Sequence, residues 1–256
     1  LGGMRAPALS GRIERRICIQ YRIKPSVARR FLPDHLRPKL YQGSALGGIC
    51  VFRFAPARSR ILPIPLGFGT ELAWHRIAVE WDAGATVAHG QYLLRCEADS
   101  RPSARLTPRV IPSSEPAARI TVRSNDGGLT VSMKSVDGNG DLNLAAVPDA
   151  HWPEDSVFPS AKAAQLALSG GHVLWPSNEG QETEGFEVTA GQGTVTSMNS
   201  HGIESAWFDD RDRFPLGSIR FDSSLLISRS SHEPQTAAIM TGVQSLSPNT
   251  GEFLPA

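Results

Sequence analysis

The chain has 256 residues, a formal net charge of +1, 40% hydrophobic and 20% charged residues, the composition of an ordinary globular protein. At this length folding hides roughly 70–75% of the surface the unfolded chain exposes, so a core closes without disulfide or metal. Lysine and arginine number 26 against 25 aspartate and glutamate, which leaves no global field to attract nucleic acid; no apolar run reaches the ~18 residues a membrane helix needs.

From the N-terminus, Arg5, Arg12, Arg15 and Arg16 precede no apolar signal region, and a cytoplasmic protein is expected. The first strand is expected over 15–22, followed by a helix over 24–32. There Pro25 occupies a position where its missing N–H costs least, Val27 and Phe31 share a face, and Pro33 stops the turn. Further strands are expected over 45–54, 71–80 and 87–96, then a hairpin of 118–124 and 129–133 turned by Asn125, Asp126, Gly127 and Gly128, residues that tolerate positive φ. A second helix, 161–168, has Ser160 to cap it and Gly170 and Gly171 to end it. Strands at 186–190, 193–197 and 224–228 follow, and the stretches 102–116 and 178–185 are the loosest. With 24 Gly and 19 Pro punctuating short alternating runs, the pattern is that of a largely antiparallel β protein.

Phosphate-binding, dinucleotide, zinc-protease, Cys-x-x-Cys and nucleophile-elbow signatures are absent. Asp137 to Asp141 imitates the start of a calcium loop, but Leu142 and Pro148 stand where the turning glycine and the bidentate glutamate belong; a plain turn between strands is expected. The seven histidines show no metal-ligand spacing, so no metal or other cofactor is expected. Cys18, Cys50 and Cys96 are odd in number and far apart in apolar surroundings. They are expected as buried thiols in a reducing compartment.

Strand alternation over 71–79 sets Glu71, Ala73, His75, Ile77 and Val79 on one face and Leu72, Trp74, Arg76 and Ala78 on the other. Glu71 and His75 on a shared face turned into an enclosed cavity would perturb each other's pKa and act as acid and base. Arg76, or Arg95 among Leu93, Leu94 and Cys96, is available to hold a carboxylate or phosphate.

Arg16 to Pro33 followed by Leu36 resembles the opening strand and helix of the acetoacetate decarboxylase-like superfamily. Residues 195–207, 213–219 and 223–226 resemble its closing strands. Glu71-Leu72, Phe158 to Ser160, Ile203 to Asp210, Phe214-Pro215 and His232-Glu233 are similar to an uncharacterised bacterial branch of it, a domain of unknown function. The resemblance covers roughly 12–233, with 1–11 and 234–256 as terminal extensions. It implies one mainly β (α+β) domain: a curved antiparallel sheet closing into a barrel or cone around an internal cavity, with a few short helices, and a homo-oligomer. Gly67 to Glu71 matches the approach to the family's cavity glutamate.

The superfamily's catalytic members form a Schiff base from a lysine just after the strand matching 87–96. This chain has no lysine between Lys39 and Lys134, and arginine, always protonated, is no substitute. The resulting expectation is a protein that binds a small carboxylate or carbonyl molecule, and if an enzyme then a lyase-like one without imine chemistry. The alternatives are a lyase or aldolase that uses Lys134 or Lys162 relocated in space, and a non-catalytic oligomeric scaffold.

Overall fold

Four long strands, buried on both faces over their central stretches, set the architecture, so side chains there cannot follow the half-solvated alternation of a surface sheet. The computed structural model describes residues 9–56, 70–99, 118–125, 127–168, 171–176, 183–189, 193–228, 238–240 and 244–254. In chain order the elements are β1 (Leu9–Ile23), α1 (Pro25–Arg29), β2 (Arg37–Pro38), β3 (Leu40–Tyr41), β4 (Ser44–Pro56), β5 (Thr70–Ala83), β6 (Thr86–Asp99), β7 (Arg119–Asn125), β8 (Gly128–Lys134) and β9 (Leu142–Pro148). Then come α2 (Ala161–Leu168), β10 (Gly171–Pro176), β11 (Thr183–Thr189), β12 (Thr194–Ser205), β13 (Ile219–Ser228), β14 (Ala238–Met240), β15 (Gln244–Leu246) and β16 (Phe253–Leu254). Expected residues 67–69, Asp126, Gly170, 232–233 and the loop 102–116 lie outside the described residues.

The mainly β expectation holds, but the closure into a barrel does not. Among the described residues the strand path runs β16-β15-β11-β10-β6-β5-β4-β1-β13-β12-β9-β8-β7, with β14 bridging β1 and β11, and its two ends do not pair. The reason lies in β1, which pairs with β4 on one side and β13 on the other. β13 leads into β12, β9, β8 and β7, and these fold over an outer face of the central strands. β7 starts beside the end of β6 with one bond, Ala118 N–H to the Ala98 carbonyl at 3.3 Å, in place of a ladder. The sheet is also not wholly antiparallel: β10 runs parallel to β6 through His172↔Gly90 and Leu174↔Tyr92. Residues 244–254, expected as part of an extension, add β15 and β16 to the same sheet and bury Leu246 in its core.

Each central strand feeds two cores. Ile17, Ile19, Ile49, Val51, Ala73, Ile77 and Val79 join the outer layer through Leu129, Val131, Leu144 and Phe208. From the opposite face Cys18, Cys50, Phe52, Leu72, Trp74 and Leu93 pack against α2, β10 and β11 through Leu168, Val173 and Phe186. Every residue from Thr70 to Val79 is consequently buried. At ~1.5–3 kcal/mol for each fully buried large apolar side chain, these two interiors supply the main driving force.

Local signals hold where the chain decides locally. Asn125 pairs with Gly128 at the hairpin turn, and Ser160 Oγ accepts the Ala163 N–H at 3.2 Å to cap α2. The first helix is shorter than expected. After Arg29 the backbone tightens into three-residue bonds, Arg30 to Val27, Phe31 to Ala28 and Leu32 to Arg29, each 3.2 Å, before Pro33 ends it.

In β4, a Cβ at Gly48 would stand 2.1 Å from the Ile19 carbonyl oxygen, so β1 and β4 approach as only glycine allows. Gly48→Ala is expected to destabilise the fold by about 1–3 kcal/mol, the range of overpacking substitutions. The check is a lowered urea midpoint at unchanged slope.

Candidate functional site

The inner face of the central strands encloses a small cavity of about 20 Å³, lined among others by Arg16 of β1, Cys50 of β4, Trp74 and Arg76 of β5, Gln91 of β6 and Leu168 of α2. That is room for a water or two, or for the head of a small anion. A β-bulge in β1 between Ile13 and Arg15 resets the alternation, so that Ile13 and Arg16 both point inward.

Two guanidiniums enter this space without an acidic partner among the described residues. Arg16 donates through Nη2 to the Leu168 carbonyl at 3.1 Å. Arg76, 3% exposed, donates through Nη1 to Gln91 Oε1 at 2.6 Å, while its Nη2 is buried with no hydrogen-bond partner. A buried cation without a counter-charge is costly, several kcal/mol after relaxation, and the field it leaves in the cavity favours an anion.

A cysteine lines the same space. Cys18 and Cys50 are register partners across β1 and β4, with Sγ atoms 3.5 Å apart. The hydrogen bond between them, with the charges of Arg16 and Arg76 adding to it against burial, lowers the Cys50 thiol below its ordinary pKa and raises that of Cys18. Cys96, by contrast, is pushed up to about 12 by burial and by Glu97.

The expected acid–base pair lies elsewhere. Glu71 and His75 do share a face of β5, but it is the face opposite Trp74 and Arg76, and neither lines the cavity. They are not paired with each other either. Glu71 Oε1 accepts from Arg15 Nη2 at 2.7 Å and Arg53 Nη1 at 3.3 Å. His75, wholly buried, lies 3.3 Å through Nδ1 from Glu97 Oε2 and stacks on Phe208 with ring centroids 6.0 Å apart. The physical cause is burial of both faces: the outer layer covers the side that was expected to be the cavity, and the side with Trp74 encloses it.

Arg95 also belongs to the outer side. A register shift between β5 and β6 sets it opposite His75. Its Nε donates to Glu97 Oε1 at 2.6 Å, and Nη1 and Nη2 grip Asp137 at 2.9 Å each. With its donors engaged it is a brace, not a ligand holder. Asp137 to Asp141 forms the turn between β8 and β9, as expected, and its aspartate closes this cluster. Gly140 lets the turn approach, since a Cβ there would meet Glu97 Oε1 at 1.9 Å.

Sequence reasoning placed Arg76 among the candidates but missed Arg16, Cys50 and Gln91. Arg16 and Cys18, two apart on one strand, were visible as sharing a face; the pairing of Cys18 with Cys50 across 32 residues carries no local signal. All four lysines are described, and none lines the cavity: Lys24 and Lys162 are exposed, Lys39 lies over the Tyr41 ring, and Lys134 pairs with Asp141 at 2.7 Å.

Comparison with known proteins agrees with this fold. The model of DUF2071, a family described as an uncharacterized conserved protein, matches residues 12–162. The chain belongs to the DUF2071 family. No functionally curated protein matches it in sequence. Solved structures place this DUF2071 protein in the acetoacetate decarboxylase-like fold. An acetoacetate decarboxylase from Legionella pneumophila superposes with a TM-score of 0.58 at 10% identity, covering 94% of this chain and 88% of that one. An acetoacetate decarboxylase-like enzyme from Sphingomonas wittichii RW1 gives 0.59 at 15% identity, covering 93% and 92%. The enduracididine biosynthesis enzyme MppR gives 0.58 at 16% identity, covering 94% and 87%.

The Asp137 carboxyl is held below its ordinary value by the Arg95 guanidinium, with Asn139 adding to it. Its folded pKa lies under the unfolded value near 3.8, so the stability it contributes is complete above that value and is lost as pH falls through it toward the folded one. Asp137→Asn is therefore expected to lower the thermal midpoint at neutral pH and to flatten the acid limb below about pH 5. Melting curves of both proteins from neutral pH downward test it; parallel curves would refute it.

Proposed function

We propose that the cavity binds a small carboxylate or carbonyl anion through Arg76 and Arg16, without imine chemistry. The observation that carries this reading is the buried, unpartnered Nη2 of Arg76 beside a second guanidinium in a space lined otherwise by Trp74, Cys50 and apolar side chains. A planar guanidinium presents a fork that suits a carboxylate, so Arg76 would anchor one oxygen pair while Gln91 fixes the plane of the fork through its accepted bond. Imine chemistry needs a deprotonated amine against the carbonyl carbon, and no lysine reaches the lining. MppR has been solved with pyruvate, which makes a 2-oxo acid the first ligand to try.

Calorimetric titration with pyruvate, acetate and formate is expected to show binding that Arg76→Met abolishes and Arg95→Met leaves measurable. Equal loss in both variants, with both folded by circular dichroism, would refute the assignment. Borohydride reduction in the presence of acetoacetate is expected to leave the intact mass unchanged. A stoichiometric adduct that disappears in Lys134→Gln or Lys162→Gln would place the chemistry on a relocated lysine.

A further inference from the structure

Cys50, which lines the cavity with the arginines, and Cys18 against it are unused by anion binding, and their arrangement has a chemistry of its own. We propose that Cys50 and Cys18 are a hydroperoxide-reactive thiol pair, Cys50 attacking the peroxide inside the cavity and Cys18 resolving the product to a cross-strand disulfide.

Three features meet at one place. Cys50 lines a cavity of about 20 Å³, a size that admits hydrogen peroxide. Arg16 and Arg76 stand beside its sulfur and lower the cost of a thiolate there. The free Nη2 of Arg76 is a buried donor in the same cavity, able to hold a peroxide oxygen and to stabilise negative charge as the O–O bond breaks.

The steps balance as follows. The Cys50 thiolate attacks one peroxide oxygen; an S–O bond forms and the O–O bond breaks. The sulfur loses two electrons and the peroxide gains them. The departing hydroxide or alkoxide takes up the proton that Cys50 released, leaving a sulfenic acid at Cys50 and one water or alcohol. Cys18 then attacks the Cys50 sulfur, its own proton leaves with the hydroxide as a second water, and the S–S bond closes.

Geometry supports the second step. Directly opposed residues on antiparallel strands are among the closest cross-strand neighbours, Cys18 and Cys50 are such a pair, and their sulfurs already touch at 3.5 Å. Reaching the bonded distance of ~2.05 Å asks for a χ1 adjustment in each side chain. Cys96 is an internal control: it is buried, does not line the cavity, and keeps its proton because burial and Glu97 raise its pKa.

The test uses the full chain, reduced and then exposed to one equivalent of hydrogen peroxide. The expected product is lighter by about 2 Da and retains one of three thiols on denaturation, and its non-reducing peptide map joins the Cys18 and Cys50 peptides. In Cys18→Ser, dimedone added with denaturant after the peroxide step is expected to trap a sulfenic acid on Cys50, while Arg76→Met slows the formation of that sulfenic acid by about tenfold or more through loss of thiolate stabilisation. The proposal is overturned if the wild-type product carries no Cys18–Cys50 link. It is also overturned if Cys96 is oxidised first or if Cys50→Ser consumes peroxide at the wild-type rate. No carboxylate ligand enters this experiment, so its failure leaves the anion-binding reading standing.

Discussion

Burial of β1, β4, β5 and β6 on both faces is the constraint from which the rest follows. A strand with one wet face can place a charge in water; the buried stretches of these strands, such as Thr70–Val79 of β5, cannot. An ionisable group buried there must find a partner inside the protein or leave an uncompensated field. The two faces resolve this differently, and that difference separates structure from site.

On the outer face each charge has an opposite charge beside it. Arg95 is held by Glu97 and Asp137, and Glu71 Oε1 by Arg15 and Arg53, although Glu71 Oε2 and both ring nitrogens of His75 are buried without a hydrogen bond among the described residues. Trp207 is flanked by the guanidiniums of Arg95 and Arg213 at 5.8 and 4.3 Å from its ring, a cation–π arrangement that adds to the closure. Such a network fixes the outer layer against the central strands, because removing one member strands the others in a dry interior. On the inner face Arg16 and Arg76 have no acid among the described residues. A fold that sets acids beside its outer-face arginines and only Cys50 beside the inner pair has a cavity whose field favours a negative guest.

The legibility of this arrangement in the sequence follows the range of each interaction. The hairpin of β7 and β8 is readable because its turn residues lie between the strands they join, and the Ser160 cap is readable for the same reason. The alternation of β5 is readable too: Glu71 with His75, Trp74 with Arg76. Which face encloses a cavity is not, because double-sided burial makes Ile77 and Ala78 equally apolar and removes the contrast that would mark an interior. Arg95 shows the same limit. Its role is set by Asp137, 42 residues on, and by a register shift beside His75 that has no sequence signature. β10 escapes a local reading since a parallel strand depends on a partner far away in the chain, here β6. The family resemblance supplied the architecture that local rules could not, and it carried with it the expectation of a closed barrel that the two unpaired ends of the strand path correct.

The open charges of the cavity also tie its two chemistries together. Arg16 and Arg76 can stabilise a negative charge on the Cys50 sulfur or on a bound carboxylate, but in so small a space the two anions repel each other at short range, where the low local dielectric magnifies the repulsion. A carboxylate held by Arg76 therefore raises the cost of the thiolate, and a thiolate raises the cost of binding the carboxylate. Linkage makes the two effects equal in free energy. An amine in this position would have joined the arginines in repelling protons and been drawn toward its neutral, nucleophilic form. With sulfur there instead, the same pair of guanidiniums activates the thiol by the opposite route, favouring its charged form.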